Sequence, residues 1–414
     1  MKLADLTSSL VVFIIAIPLS LGISIASGAS VSSGIISGIV GGIVVGALAG
    51  APLVVTGAAA GLTAFVFQII QDFGIQGLTI ITVLCGLVQI LFGVFKLGNF
   101  FAKIPKPVLE GVLSAIGAII LVGQLHVMMG GAVPKTAWIG LQHLPEAVVN
   151  LNANWKIAII GLFAAIIQII WPKVFRRFAW IPGALPAVVL ATLISLLFPV
   201  PRVVLGDLLP QIVSSVHSFF STNQLNFFSS SFMKFFPTAI GLAVIASAET
   251  LLTARGLHVM LSTHEELRMR HAPLLDKELI AQGAGNCICA MLGGLPMTGV
   301  MVRSAANVTA GGRTRFSSIL HGIWILLFVH FFPEVLTKIP LSVLASILVL
   351  TGIKLLNLKN LIHEIKKKPL EGMLWILTMG AVFMTDLLKG LVIGIVSATL
   401  IYLVTRLFFN RKAA

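Results

Sequence analysis

The chain has 414 residues, 57% of them hydrophobic and only 10% charged, with a mean hydropathy of +1.05. A soluble domain carries about 25% charged residues, so the composition excludes a soluble enzyme or binding module and indicates a polytopic membrane protein. The formal charge of +14 invites a nucleic-acid partner, but with a cytoplasmic N-terminus and fourteen crossings only Lys135, Lys156, Arg202, Lys234, Lys338 and Lys389 of the 28 basic residues fall outside, which is the positive-inside rule.

The opening MKLADLTSSL runs directly into a first span, Thr7–Ser27, with Pro18 in its middle. No clear cleavage site follows, so this is a retained span and not a signal peptide. In the second span, Val31–Ala49, glycines recur every fourth residue at Gly34, Gly38, Gly42, Gly46 and Gly50. They share one helix face and let a neighbouring backbone approach closely. The third segment, Pro52–Gln71, is irregular: Pro52, a β-prone Leu53–Thr56, Gly57 and Gly61 precede or interrupt a helix predicted over Ala58–Gln71. A helix that short cannot cross about 30 Å of hydrocarbon at about 1.5 Å per residue.

A fourth span, Ile75–Phe95, leads to a basic cytoplasmic loop with Lys96, Lys103 and Lys106. Spans five to seven are predicted over Pro107–Met128, Trp155–Trp171 and Ile181–Phe198, and Gly206–Asn226 reads as a partly amphipathic linker on the outer side. The eighth span, Phe235–Leu257, precedes a basic loop with Arg268, Arg270 and Lys277; the ninth is Glu278–Leu292. The tenth segment, Leu292–Thr314, is broken by Gly293, Gly294, Pro296 and Gly299 and carries Arg303. Spans at Ser317–Phe332, Leu341–Leu356, Gly372–Leu387 and Leu391–Phe409 complete the chain. The expected fold is therefore all-α, with fourteen transmembrane segments in two inverted repeats of seven (residues 1–215 and 216–414) and short strands before the half-helices of segments 3 and 10. Two short, Gly/Pro-interrupted segments at corresponding positions of two halves point to a transporter binding site at the repeat interface. Cys85, Cys287 and Cys289 lie in apolar helices and read as packing.

Irregular backbone at membrane depth is tolerated where it is buried in protein or lines a water-filled cavity. Two half-helix N-termini there offer unpaired N–H groups and positive dipole ends, an anion site built from backbone. The candidates are Ala58, Ala59 and Ala60 on segment 3 and Val300, Met301 and Val302 on segment 10, with Arg303 adding a full charge. Ser20 and Ser24, just after Pro18, face the same region, and Thr56, Thr63 and Thr298 could lend hydroxyls. Glu249 is the acid placed within an apolar run, IGLAVIASAETLLTARG. Centre-of-membrane acids cost about 2.5–3.5 kcal/mol on insertion scales, so Glu249 marks a function. With Thr253 four residues on, it could hold Na⁺, or it could carry a proton. His126, His143, His258, His264 and His271 fall mainly at span ends and loops and read as interfacial, not as metal ligands. Neither HExxH nor GxSxG occurs, so no enzyme is indicated.

The runs GGLPMTGVMVRSAANVTAGGRTR, AETLLTARG, ELIAQGAGN and IAIPLSLGISIASGA resemble the sulfate permease (SulP) family of anion transporters. The resemblance covers nearly all of the chain in order and spacing. It implies a core domain (segments 1–4 and 8–11) moving against a gate domain (5–7 and 12–14) in an elevator-type cycle. It also implies an anion held at the ends of half-helices 3 and 10, by Ala59, Met301, Val302 and Arg303. Glu249 and Thr253 match the acid-x-x-x-Thr place that binds sodium in bicarbonate-transporting relatives, where the acid is Asp. Ala59 lacks the hydroxyl that some relatives carry. The expected protein is a plasma-membrane, multi-pass secondary transporter of sulfate or bicarbonate, proton- or sodium-coupled, with both termini cytoplasmic and no STAS domain. Its partners are the anion and membrane lipid, a homodimer being compatible and nucleic acid not. The alternatives are an uncoupled exchanger or channel of the same family, and a nucleobase permease, which would want carboxylates near both half-helices where only Glu249 is present.

Overall fold

At the centre of a helical membrane fold two short strands pair, and the helices are arranged to serve them. The computed structural model describes residues 3–101, 105–134, 136–175, 182–261, 272–385 and 387–410. Lys103, Lys135, His264, Arg268, Arg270 and His271 lie outside the described residues. Helix α1 is Leu3–Ala26. Helix α2, Val31–Val40, continues through a π-turn at Gly41–Val45 to Leu48. Strand β1 is Thr56–Ala58, followed by a 3-10 turn at Ala60–Leu62 and helix α3, Thr63–Val94. Next come α4 (Lys106–Met128), α5 (Ala137–Val149), α6 (Leu151–Val174), α7 (Ala184–Ser195) and α8 (Leu208–Phe219). The second half holds α9 (Thr222–Met260), α10 (Leu275–Met291), β2 (Met297–Gly299), the nine-residue α11 (Met301–Thr309) and α12 (Phe316–Phe331). It ends with α13 (Leu341–Leu356), α14 (Leu358–Lys367), α15 (Pro369–Met384) and α16 (Leu387–Asn410).

Among the described residues seven helices are long and apolar enough to cross a membrane, and four shorter apolar helices accompany them. Helix α3 holds the predicted third and fourth segments as one run, broken at Gly74, whose φ of 68° departs from helical geometry. Three elements depart from expectation. Helices α5 and α14 occupy stretches predicted as loops, and α9 starts well before Phe235. The glycine series of α2 meets several neighbours, not one: a Cβ on Gly42 would lie 2.7 Å from Gly322 Cα of α12 and one on Gly50, just past the helix, 2.2 Å from Leu274 O, while one on the adjacent Gly41 would lie 2.5 Å from Thr56 O of β1. Strand β1 is thereby pressed directly against α2.

The most extensive packing joins helices of the first half of the chain to helices of the second. Helix α3 lies on α10 and α9, and α1 lies on α12 and α2; α4 lies on α13 and α15. Two clips close the end of the molecule where the chain starts. The buried Asp5 carboxylate accepts from Arg313 N–H (2.8 Å), Thr314 N–H (2.9 Å) and Thr314 Oγ1 (2.8 Å). Glu278, also fully buried, accepts from Ala51 N–H at 2.9 Å and from Gln282 Nε2 at 3.2 Å, which fixes the approach to β1.

Candidate functional site

Extended chain in a membrane interior must find a partner for every backbone polar group. The antiparallel ladder supplies some: Thr56 faces Gly299, Gly57 faces Thr298 and Ala58 faces Met297, and Val300 N–H donates to Val55 O at 2.9 Å. Helix side chains supply others. Asn286 of α10 clasps Met297, its Oδ1 accepting the N–H at 2.7 Å and its Nδ2 donating to the carbonyl at 3.2 Å. Behind it, Asn286 Nδ2 donates to Gln89 Oε1 at 2.7 Å, and Gln89 Nε2 reaches Ser247 Oγ at 3.3 Å. Thr250 Oγ1 accepts from Gly299 N–H at 3.0 Å, and Thr253 Oγ1 donates to Gly299 O at 2.9 Å. On the other edge Ser304 Oγ accepts from Val55 N–H at 2.9 Å, Asn307 Nδ2 donates to Leu53 O at 3.1 Å, and Gln282 Nε2 donates to Thr56 Oγ1 at 2.7 Å. None of these positioning residues stands out by charge. Their signal is an amide or hydroxyl inside an otherwise apolar span, as in the run ELIAQGAGN.

Each strand runs straight into a helix start. Ala59 caps the turn at Ala60–Leu62 and Val300 caps α11, both with extended backbone and neither with a side-chain cap. Among the described residues the first-turn N–H groups of Ala60 and Gly61, and of Met301 and Val302, therefore have no partner. The structure shifts two candidates. Ala58, expected at the helix start, ends the strand, because pairing with Met297 outweighs its helix preference. The Val300 N–H is spent on Val55, so Val300 contributes its cap position and not a free donor. Met301 and Val302 are 38% and 55% exposed, while Ala59 is buried.

Arg303 is fully buried and turns back from α11 toward α1. Its Nη2 donates to Ser20 Oγ at 3.0 Å and to Ala16 O and Ala58 O at 3.5 Å each. Nε and Nη1 have no acceptor, and Nη1 lies so close to Gly57 that a Cβ there would be 2.2 Å away. Ser20 and Arg303 are thus brought together beside β1, with no carboxylate against the guanidinium among the described residues. Ser24 is engaged elsewhere, donating to Ser20 O at 3.0 Å.

Glu249 of α9 reaches the other helix start. Both its carboxylate oxygens lie 2.7 Å from where a Cβ on Gly61 would be, so the carboxylate rests on the first turn leading into α3. Thr298 of β2 is its neighbour across the sheet; Glu249 Oε2 and Thr298 Oγ1 are buried without a well-formed hydrogen bond. The partner expected from the sequence was Thr253, but that hydroxyl donates to Gly299 O, and Thr298 stands beside the acid instead. Carboxylate and hydroxyl oxygens of this kind suit a proton or a hard monovalent cation such as Na⁺. Among the described residues no group of three or more His, Cys, Asp or Glu could hold a transition metal.

Thr63, whose hydroxyl is also buried and unpartnered, opens onto a cavity of about 360 Å³ between α3 on one side and α4, Val133, Pro134, Thr136, Ala137 and the end of α15 on the other. Its polar lining is Thr63, Gln68, Gln71 and Asp72 of α3, Gln124 of α4, Thr136, and Thr385 just after α15. The cavity connects the start of α3 with the end of the molecule opposite Asp5.

Residues 3–378 match the model of the sulfate permease family. The chain is 26% identical over 402 residues to the putative sulfate transporter YvdB of Bacillus subtilis (strain 168), a match covering 96% of this chain and 73% of that protein. It is 29% identical over 338 residues to the bicarbonate transporter BicA of Synechocystis sp., covering 80% of this chain and 56% of that one. Its structure superposes on the transmembrane domain of a cyanobacterial bicarbonate transporter BicA with a TM-score of 0.77 at 25% identity, over 96% of this chain and 97% of that domain.

Proposed function

The chain belongs to the sulfate permease family, made up of membrane anion transporters and not enzymes, and on that footing we propose that it is a secondary transporter of small inorganic anions, with sulfate and bicarbonate the leading substrates. What carries this is the pair of uncapped helix starts at the two ends of the β1–β2 ladder. Their free N–H groups and dipoles favour an anion. Arg303, buried beside β1 with no carboxylate against it among the described residues, adds positive charge to the same neighbourhood. The two relatives, a putative sulfate transporter and a bicarbonate transporter, agree in substrate class.

Glu249 then provides the coupling. A bare carboxylate on Gly61 competes with the substrate anion for the positive end of α3. Two like charges about 6 Å apart at an effective dielectric of about 20 repel by roughly 3 kcal/mol. A proton or Na⁺ on Glu249, with Thr298 beside it, removes that repulsion, so cation and anion bind together with a mutual factor of about a hundred. Loading one without the other is disfavoured, which is the requirement for symport. In the cycle, the group that carries the site (segments 1–4 and 8–11) slides as one body against segments 5–7 and 12–14. That division is supported by the packing of α3 on α10 and α9, of α4 on α13 and α15, and by the cavity between the two sets. The protein then sits in the plasma membrane, the inner membrane in a bacterium, with both termini cytoplasmic.

The test is tracer uptake into proteoliposomes of purified protein. Sulfate, bicarbonate, chloride and dicarboxylates are compared under imposed proton and sodium gradients. Sulfate or bicarbonate uptake that rises with one cation gradient is expected. Uptake that no gradient alters would leave an uncoupled exchanger or channel, and no uptake of any anion would overturn the proposal.

A further inference from the structure

Helix α14 takes no part in the site. It begins at Asn357, whose left-handed backbone (φ 48°, ψ 38°) turns the chain off the end of α13; asparagine is among the few residues that adopt this conformation readily. Nine of its ten residues sort into three sectors by i, i+3 and i+4 spacing. Leu361 and Glu364 turn to the protein: Leu361 is 6% exposed, and Glu364 shares a small crevice with Lys106, Glu110, Glu371 and Trp375. Leu358, Ile362 and Ile365 form a second sector, apolar and 53%, 53% and 36% exposed. Lys359, His363, Lys366 and Lys367 form a third, exposed and basic, continued by Lys354 in the last turn of α13. Two lysines nearby are already neutralised, Lys106 by Glu110 at 3.3 Å and Lys368 by Glu371 at 2.7 Å. Among the described residues no carboxylate pairs with Lys354, Lys359, Lys366 or Lys367.

One side on protein, one side apolar and uncovered, and one side basic is the arrangement of a helix lying in the plane of a bilayer surface. Helix α14 is also placed for it, at the end of the molecule where α4 starts and α13 finishes. We propose that α14 is an anionic-lipid site: Leu358, Ile362 and Ile365 enter the acyl-chain boundary, and Lys359, Lys366 and Lys367, helped by Lys354, bind phospholipid headgroups. The apolar sector decides the occupant. A soluble acidic partner would use the lysines and leave Leu358 and Ile362 in water, whereas a bilayer satisfies both sectors. Helix α14 joins α13 to α15, and Trp375 Nε1 of α15 donates to Ser114 Oγ of α4 at 2.9 Å. Bound lipid therefore steadies the α4–α13–α15 group. That consequence, unlike the binding itself, rests on the transporter reading.

The test is native mass spectrometry of the purified chain equilibrated with phosphatidylglycerol or phosphatidylcholine in detergent. Preferential retention of phosphatidylglycerol is expected. The combined Lys359→Gln, Lys366→Gln and Lys367→Gln variant should lose it, by about five-fold for each lysine removed, and the corresponding Lys→Arg variant should keep it. Ile362→Asn should weaken retention of both lipids. Equal retention of the two lipids by the wild type, retention unchanged in the glutamine variant, or displacement of the lipid by millimolar inorganic phosphate alone would overturn the proposal. Uptake in vesicles of the two lipids is read separately. Absent uptake with intact lipid preference counts against the transporter reading and leaves the lipid site standing; normal uptake without lipid preference does the reverse.

Discussion

Glu249 and Arg303 are both buried charges, but their surroundings ask different things of them. Arg303 spends Nη2 on three oxygens of α1 and β1, so its charge is fixed in place. Glu249 has an unpartnered Oε2 beside an unpartnered Thr298 hydroxyl, so its charge is free to be neutralised by a bound cation. Glu249→Gln removes the repulsion permanently. The variant is expected to take up anion independently of the proton or sodium gradient, with apparent affinity at or above that of the wild type measured without a gradient. Retained gradient dependence in the proteoliposome assay would take coupling away from Glu249. Gly61→Ala probes the same contact from the other side. Its methyl group would meet both carboxylate oxygens, and since the end of a glutamate side chain can swing aside, the fold should survive with a stability change within about 1 kcal/mol. Cation dependence of uptake should nevertheless weaken markedly. A variant with normal gradient dependence would show that the carboxylate need not rest on the α3 start.

At the scale of elements, the ladder of three residue pairs persists in a membrane interior because α9 and α10 take up the outward backbone groups of Met297 and Gly299 in β2, and α11 those of Val55 and Leu53 before β1. Asn286 alone satisfies both backbone groups of Met297. Asn286→Leu would strand them, at about 1–3 kcal/mol for each buried group, and would also unseat Gln89. A lowered unfolding temperature in detergent is expected, together with loss of uptake, whereas an exposed change such as Ile159→Leu on α6 should alter neither. An unchanged unfolding temperature would mean that β2 is held by its ladder and not by α10. The breaks in segments 3 and 10 could be read from Gly57, Gly61, Pro296 and Gly299, because a long apolar run tolerates such residues only for a reason. Which residue starts each helix could not, since Ala58 is a good helix former and becomes a strand residue only through Met297, 239 positions away in sequence. Thr298 beside Glu249 is likewise a product of the ladder register. Helix α14 was hidden by its lysines, which in a linear reading look like an ordinary cytoplasmic loop.

For the molecule as a whole, the cavity lies between α3 and the pair α4 and α15, where the proposed moving and fixed helix sets would meet. A protein interior is close-packed, so a cavity of about 360 Å³ lined by Gln68, Gln71, Asp72, Gln124 and three threonines is costly to leave as empty apolar space; as a water-filled path to the start of α3 it has a use. Alternating access requires that this path close when the site opens to the other side, and closure has to bring α3 and α4 into a different relation. Bridging them should therefore stop the cycle. Gln68→Cys on α3 and Gln124→Cys on α4, in a background with Cys287→Ala to remove the partly exposed native thiol, place one thiol on each wall. Joining them with a reducible bifunctional thiol reagent is expected to arrest uptake, and reduction to restore it, while either single variant treated in the same way continues to transport. If the fully bridged protein transports at the rate of the single variants, α3 does not move against α4, and the anion must reach the helix starts through a fixed framework, as it would in a channel.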